Sequence, residues 1–439
     1  MSVIGELAAF VVGAKASALP APERQRQRLH VTDTAVAALA GACITEGKML
    51  QSLGSAATLA SQIGQRAAAT RLTEIDDIHL PSCVTPSAGV VPLALMLAAH
   101  EQQSAPDEIA SAIWAGTEVA TRIGSAVNGP QILYRGIWPS YLAAPVAAAA
   151  TAARVMGLNE TRTANALSLA VMLMAGGVGR IHGAPSGRWF LYANAVAGGV
   201  AAAEAARADY RGDPEILEKT WLADTHGIAL DRDVLTAGLG AHSVYTVLSL
   251  KPFCSAKQAI AAVAAFRAIL DRGVPRDAIA RIRVRVPPAY AGMIATRAEP
   301  GARISTLVSV AHQIALAALA PDRLYEVDRS SPLIDAALTR YAAKVEVVAD
   351  AALEVFYPRH WPAEVEVEAG GDVVRHRVVE AEGDPERPLD AAGIDDKAHR
   401  VLDPLVGGAR ATGWLTMCGA ALDGAAACRK LAAAFAAGL

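Results

Sequence analysis

The chain has 439 residues, 53% hydrophobic and 19% charged, with a formal net charge of -3 at pH 7. That length exceeds what one hydrophobic core organises, so two domains are expected, and the apolar content excludes a disordered chain. A nearly balanced charge without any Lys/Arg block recommends neither nucleic acid nor an anionic membrane surface as partner.

The start, Met1-Ser-Val-Ile-Gly-Glu, has neither the basic opening nor the continuous apolar run of a secretory signal, so a cytoplasmic chain is expected. From there to about residue 250 the sequence reads almost wholly as helix. Alanine dominates, which has the highest helix propensity and lets helix axes approach closely. Asn159 is placed to cap a helix carrying Ala164, Leu167, Val171 and Met174 at helical spacing, and Pro106-Asp107-Glu108 puts acids in a first turn. Gly/Pro clusters punctuate the run at 81–86, 129–130, 136–139 and 183–187. Residues 142–153 and 165–179 are the most apolar, but they are Ala/Gly-rich and too short or too weakly hydrophobic to cross a bilayer of about 30 Å. They read as buried helices.

After Lys251 the pattern changes. A helix from Ser255 to about Asp271 leads into residues 280–287, where apolar and charged residues alternate as in a half-buried strand. Residues 345–348, 365–368 and 373–379 alternate likewise, the last two joined by Ala369-Gly-Gly-Asp372 as a hairpin. Helical stretches are expected at about 305–320 and 332–343. From about Leu389 the chain turns helical again, with an Ala-rich segment near 419–437 that should pack back on the first domain. The expected fold is mainly α: a large all-helical domain over 1–250, completed by 390–439, and a smaller α+β domain over 251–389.

Five cysteines, at 43, 83, 254, 418 and 428, are scattered and odd in number, and none forms a CxxC pair. Reduced thiols are expected, with neither a disulfide framework nor a zinc site. Residues 176–179 are glycine-rich but lack the preceding strand of a dinucleotide loop, and Gly407-Gly408 lacks the Lys-Ser/Thr of a phosphate loop. With no His-Glu-x-x-His and no carboxylates at metal spacing, no metal or organic cofactor is expected.

Five segments taken in order resemble the MmgE/PrpD family. Residues 380–389 followed by Lys397 resemble its G-D-P-x-x-P-L…K signature, and residues 71–77 followed by Pro86-Ser87 resemble H-x-x-D-F-D-D…H-P-S. Gly136-Ile-Trp-Pro-Ser140 is similar to G-x-H-P-T/S, Lys251-Pro-Phe-Cys254 with Ile260 to K-P-Y-P-x-C-R-x-x-H-x-x-I, and Ser309-x-x-His312-x-x-Ala315 to S-x-x-Y-x-x-A. The resemblance spans nearly the whole chain. It implies an active site in the cleft between the two domains, a homodimer, and chemistry on a proton beside a carboxylate without metal or organic cofactor: methylcitrate dehydration, cis-aconitate decarboxylation or iminodisuccinate epimerisation.

Several family positions are rewritten. Arg71, Thr85, Trp138 and Leu191 stand where the family has His, Arg188 where it has Lys, Glu74 where it has Asp, and His312 where it has Tyr. Arg188 reads as a bidentate carboxylate clamp or as a solvated Arg. Lys251, at the junction of the domains, reads as an anion clamp with a catalytic role or as an ordinary surface Lys, and Lys257 as a second cation. His312 lies on an apolar helix, where a His is commonly a satisfied core residue, yet it titrates near neutrality and stands at the implied site. Glu74, Asp76 and Asp77 read either as a base with its orienter or as a helix-capping cluster, with Glu74 and Asp77 the two that the resemblance points inward. Trp138 and Thr85 are substrate-binding candidates by position, and His182 by its place in a Gly-flanked loop near Arg188. His79 reads as a replacement for the missing loop His or, in preference, as a surface loop residue, and Cys254 as packing rather than a nucleophile.

The leading expectation is a cofactor-independent lyase on a small anionic substrate, with Arg188 and Lys251 holding its oxygens and His312 or Glu74 removing a proton. An isomerase or epimerase on the same scaffold, or a family member that only binds a ligand, remain alternatives.

Overall fold

A computed structural model of the chain describes residues 2–53, 58–174, 177, 187–218, 220–299, 302–329 and 335–439. The described residues form two compact units: those up to Leu248 together with Asp390–Leu439, and a second built from Ser249–Leu389.

The first unit is helical. Its principal helices are α1 (Ala21–Cys43), α2 (Leu59–Arg71), α3 (Ser87–His100), α4 (Pro106–Ala126), α5 (Pro139–Val155) and α6 (Gly187–Arg207). The starts follow local chemistry. Thr58 caps α2 by accepting from Ser61 N–H at 3.3 Å, and proline opens α4 and α5, where a missing N–H costs nothing. Asn159 caps the helix Glu160–Val171 as expected, accepting from Arg162 N–H at 2.9 Å. The helices α3 and α5 are buried nearly all round, which is what apolarity on every face requires. Among the described residues no helix is long and apolar enough to cross a membrane.

The axis of α6 approaches α2 and α5 at backbone distance. A Cβ on Gly64 would overlap the Ala193 carbonyl, and one on Gly199 would overlap the carbonyl of Pro145. These two crossings bring the first turns of α6 beside the end of α2 and the start of α5. The C-terminal segment supplies helices Ala391–Val406 and Gly408–Gly419 against α1, and Ala425–Ala437 against α3. Trp414 Nε1 donates to the Ala35 carbonyl at 3.0 Å, fixing the return on α1.

The helical expectation for residues 208–247 needs correction. This stretch is largely irregular, with only short helices such as Trp221–His226 and Arg232–Thr236. Asp209 and Gly227 take left-handed φ values of 65° and 61°, and Pro214 cannot continue a helix, so the stretch breaks repeatedly.

The second unit carries a four-stranded sheet of β1 (Ile279–Val286), β2 (Val345–Ala349), β3 (Ala363–Ala369) and β4 (Asp372–Val378), in spatial order β2-β1-β3-β4. The β1–β2 pair is parallel and the other two are antiparallel. Register places Ile282 beside Val345 and Val367, and Val284 beside Val347 and Val365, so β1 and β3 bury one apolar face. That face packs on α7 (Lys257–Asp271). The opposite face is a ladder of ion pairs: Arg283–Glu368 at 2.8 Å, Arg375–Glu366 at 2.6 Å and Arg377–Glu364 at 2.7 Å. Gly370 and Gly371 turn the β3–β4 hairpin with φ values of 61° and 92°, a conformation that two consecutive glycines accept without strain.

The helix expected over 305–320 is divided. Arg303–Val308 ends at Ser309, whose extended backbone and hydroxyl begin α8 (Val310–Leu319) by accepting from His312 N–H at 3.3 Å.

Candidate functional site

In the first unit the end of α2 runs into a tight turn, residues 72–77, that carries the acidic cluster. Arg71 Nη1 reaches Glu74 Oε1 at 2.9 Å and Asp76 Oδ1 at 3.2 Å, and all three side chains are buried. Burial opposes the guanidinium charge, but Asp76 and Glu74 more than offset it and hold Arg71 above its ordinary pKa. Glu74 sits at φ 57°, a left-handed conformation that costs a residue with a Cβ about 1–2 kcal/mol. Strain of this kind concentrates at functional sites.

Beside this turn lies Arg188, in the first turn of α6. Its guanidinium stacks 4.9 Å from the ring centre of Trp138 and 5.6 Å from that of Trp189. Burial pushes its pKa down, opposed by Tyr141 and Glu74, and Arg188 makes no hydrogen bond or ion pair among the described residues. Trp138 caps α5 and stacks on Tyr141 at 5.4 Å, which stacks in turn on Tyr192 at 4.9 Å. Burial raises both phenol pKa values, so both hydroxyls stay protonated as donors. Arg188 Nη1, Trp138 Nε1 and Tyr141 Oη are all buried without a partner among the described residues. Thr85 flanks this group: its N–H donates to Ser140 Oγ at 2.9 Å, and the two hydroxyls lie 3.0 Å apart.

Behind the turn is a second buried network. Asp77 accepts from Ser87 Oγ at 2.5 Å and from Ser87 N–H at 3.2 Å, which seats the start of α3, and its Oδ2 lies 2.9 Å from His30 Nδ1. Lys397, on the helix Ala391–Val406, donates to Asp33 at 2.6 Å and to the Ile75 carbonyl at 2.8 Å. The Asp77 carboxylate thus holds the start of α3, while Glu74 is held by Arg71 and acts electrostatically on Arg188. His79 is not the surface residue expected: it is buried and bonded to Ser82 Oγ at 2.8 Å, and burial lowers its pKa to about 4. The side chain of His182 lies outside the described residues.

Three other candidates belong to the second unit. Lys251 is buried, which removes the surface alternative. Lys257, at the start of α7, pairs with Asp384, whose carboxylate also takes Ser249 Oγ at 2.9 Å and Ala381 N–H at 2.8 Å. Lys257 thus fastens the turn around Gly383-Asp384 and is committed to that carboxylate. His312 is buried on α8 and lines a cavity with Thr296, Arg297 and Thr339. Burial first, then Arg329 and Arg323, lower its pKa to about 4. Cys254 is buried, and its carbonyl accepts from Arg329 Nη2 at 3.0 Å.

A wider groove of about 750 Å³, lined by residues between Ser125 and Asp233, contains none of these candidates; its Arg232 is paired with Glu218 at 3.1 Å. No three His, Cys, Asp or Glu side chains among the described residues converge as metal ligands.

Sequence reasoning passed over Arg71 as an organiser, although its i,i+3 spacing to Glu74 was visible. It also passed over Tyr141 and Tyr192, which carry no motif and emerge only where α5 and α6 cross.

Comparison with family models matches the MmgE/PrpD N-terminal domain over residues 5–226 and the MmgE/PrpD C-terminal domain over residues 253–417. Comparison with curated proteins gives no match.

Proposed function

Because the chain belongs to the MmgE/PrpD family, which includes dehydratases and related enzymes, we propose that it is a lyase acting on a small carboxylate-bearing substrate. One observation carries this reading: three donors, Arg188 Nη1, Trp138 Nε1 and Tyr141 Oη, are buried around one cation with no protein acceptor among the described residues. A buried donor left unsatisfied costs about 1–3 kcal/mol. A ligand rich in acceptors and negatively charged relieves all three, and a carboxylate fits the guanidinium fork bidentately.

With its carboxylate neutralised on Arg188, the substrate's adjacent C–H becomes more acidic. Glu74, fixed by Arg71 beside this cluster, takes the proton, and the electron pair closes a double bond as a hydroxyl departs from the neighbouring carbon. The protonated Tyr141 donates to the oxygen on which charge develops. General base help contributes about 10²–10⁴-fold, and a preorganised donor about 3–4 kcal/mol.

The test is mass spectrometry after incubation in deuterated water with a panel of small hydroxy- and unsaturated acids. A product lighter by water that disappears in Arg188→Ala supports the lyase. Deuterium gained at unchanged composition would replace it with an epimerase, and full turnover in Arg188→Ala would overturn the site.

A further inference from the structure

The turn at residues 72–77 is gripped from α1 at two adjacent places. Asp33 binds Lys397, which donates to the Ile75 carbonyl at 2.8 Å. Three residues earlier, on the same helix face, His30 Nδ1 lies 2.9 Å from Asp77 Oδ2, with both side chains at most 1% exposed. Asp77 already accepts from the hydroxyl and the N–H of Ser87, so the imidazole N–H is the third donor of its set. The ring is itself held. Tyr245 packs on it with centres 5.5 Å apart, and the Tyr245 hydroxyl lies 3.3 Å from Thr117 Oγ1 on α4. The short turn Val244–Thr246 that carries Tyr245 is fastened back on α1. There Ser243 N–H donates to Glu23 at 3.1 Å and Arg26 Nε donates to the Tyr245 carbonyl at 3.4 Å.

We propose that His30 is a positioning residue for Glu74: through Asp77 it locks the turn in the one shape that holds the Glu74 carboxylate ready to take a proton. The proposal rests on Glu74 as the base in the reading above. Glu74 sits at φ 57°, a conformation that a residue with a Cβ keeps only where its surroundings over-determine it. Arg71 holds the Glu74 carboxylate, while Ile75 and Asp77 fix the backbone that follows it. Only three residues separate Glu74 from Asp77, too short a span to absorb a shift at Asp77 without passing it on. A misplacement of about 1 Å at a reacting group costs about 10²-fold in turnover. Arg188, which grips the substrate carboxylate, stands on α6 and makes none of these contacts. Loss of the His30 N–H therefore acts on kcat and spares KM.

The test pairs His30→Leu, which keeps bulk and deletes the N–H, with His30→Asn, whose amide nitrogen stands as many bonds from the backbone as Nδ1. His30→Gln, one bond longer, takes the place of His30→Leu if that variant does not fold. Asn159→Ala, which loses a helix cap, controls for general destabilisation. Amide hydrogen exchange over residues 72–77, read by mass spectrometry on the full chain, needs no substrate. It should accelerate at least about tenfold in His30→Leu and return towards wild type in His30→Asn. For the acid turned over in deuterated water, kcat should fall about 10²-fold in His30→Leu at unchanged KM and recover in His30→Asn. Exchange no faster in His30→Leu than in Asn159→Ala overturns the proposal. So does a kcat loss that His30→Asn does not rescue or that Asn159→Ala reproduces. Turnover lost in Glu74→Asn but kept in His30→Leu removes the positioning role alone, whereas turnover kept in Glu74→Asn removes the base and the proposal with it.

Discussion

Lys397→Met removes the buried ammonium that ties the C-terminal return to the acidic turn. The side chain is 2% exposed and makes two bonds, at 2.6 Å to Asp33 and 2.8 Å to the Ile75 carbonyl. Methionine keeps most of the volume, so packing changes little. Asp33 is left as a buried carboxylate without its cation, and breaking a buried pair in this way costs about 3–5 kcal/mol at neutral pH. The pH dependence has a definite sign. Burial already raises the Asp33 pKa, with Lys397 only partly offsetting it, and losing Lys397 raises it further. The native state of the variant therefore binds a proton that the unfolded state has released, and its stability falls as pH rises through that window. The gap between wild type and variant should be widest at neutral pH and narrow on acidification. Urea denaturation followed by tryptophan fluorescence measures it, with Trp414 reporting on the α1 contact. A loss below about 1 kcal/mol, or a gap that widens towards acid, would refute the reasoning.

Three further outcomes are expected. Glu74→Asn keeps a residue that tolerates φ 57° but removes one of the two carboxylates that offset the burial of Arg71, so stability should fall by about 1–3 kcal/mol, with Asp76 still in place, and turnover of the substrate found by mass spectrometry should fall at least about 10²-fold. His312 is depressed to about 4 from its ordinary value, so its contribution to stability is present above about pH 6.5 and lost as pH falls towards 4. The acid limb of the stability profile in His312→Gln should be shallower by up to about 1.4 kcal/mol per pH unit, and an unchanged limb would count against a neutral buried imidazole. Gly199→Ala drives a methyl into the Pro145 carbonyl and should cost about 1–3 kcal/mol, read as a lowered thermal midpoint.

The sheet was legible because β1 and β3 are half-buried, so Arg281, Arg283 and Arg285 had to alternate with Ile282, Val284 and Val286. The glycine pair at 370–371 marked its hairpin for an equally local reason. Breaks set by a single hydroxyl were not legible: Ser309 interrupts an apolar stretch that reads as one helix. Residues 208–247 misled the reading because composition was carried forward from the alanine-rich helices before them. At the sites, the chemical types at Arg188, Trp138 and Glu74 could be read from sequence, but whether each was exposed or buried could not, since that depends on helices crossing at Gly64 and Gly199. The commitments of Asp77 to Ser87 and Lys257 to Asp384 join residues 10 and 127 positions apart, the second beyond any periodic pattern.

The charged face of the sheet also bears on how copies of this chain behave when crowded. Strand β4 is an edge, and an edge with free backbone groups is a template for another strand. Arg375 and Arg377 stand along it, anchored by Glu366 and Glu364, so an approaching identical edge would bring like guanidinium rows together. The exposed pairs of the ladder, such as Arg377 with Glu364, add little to folding stability, but the ladder acts as a guard against self-association. Replacing both arginines with valine would leave the unit folded and turn that edge into a seed for aggregation.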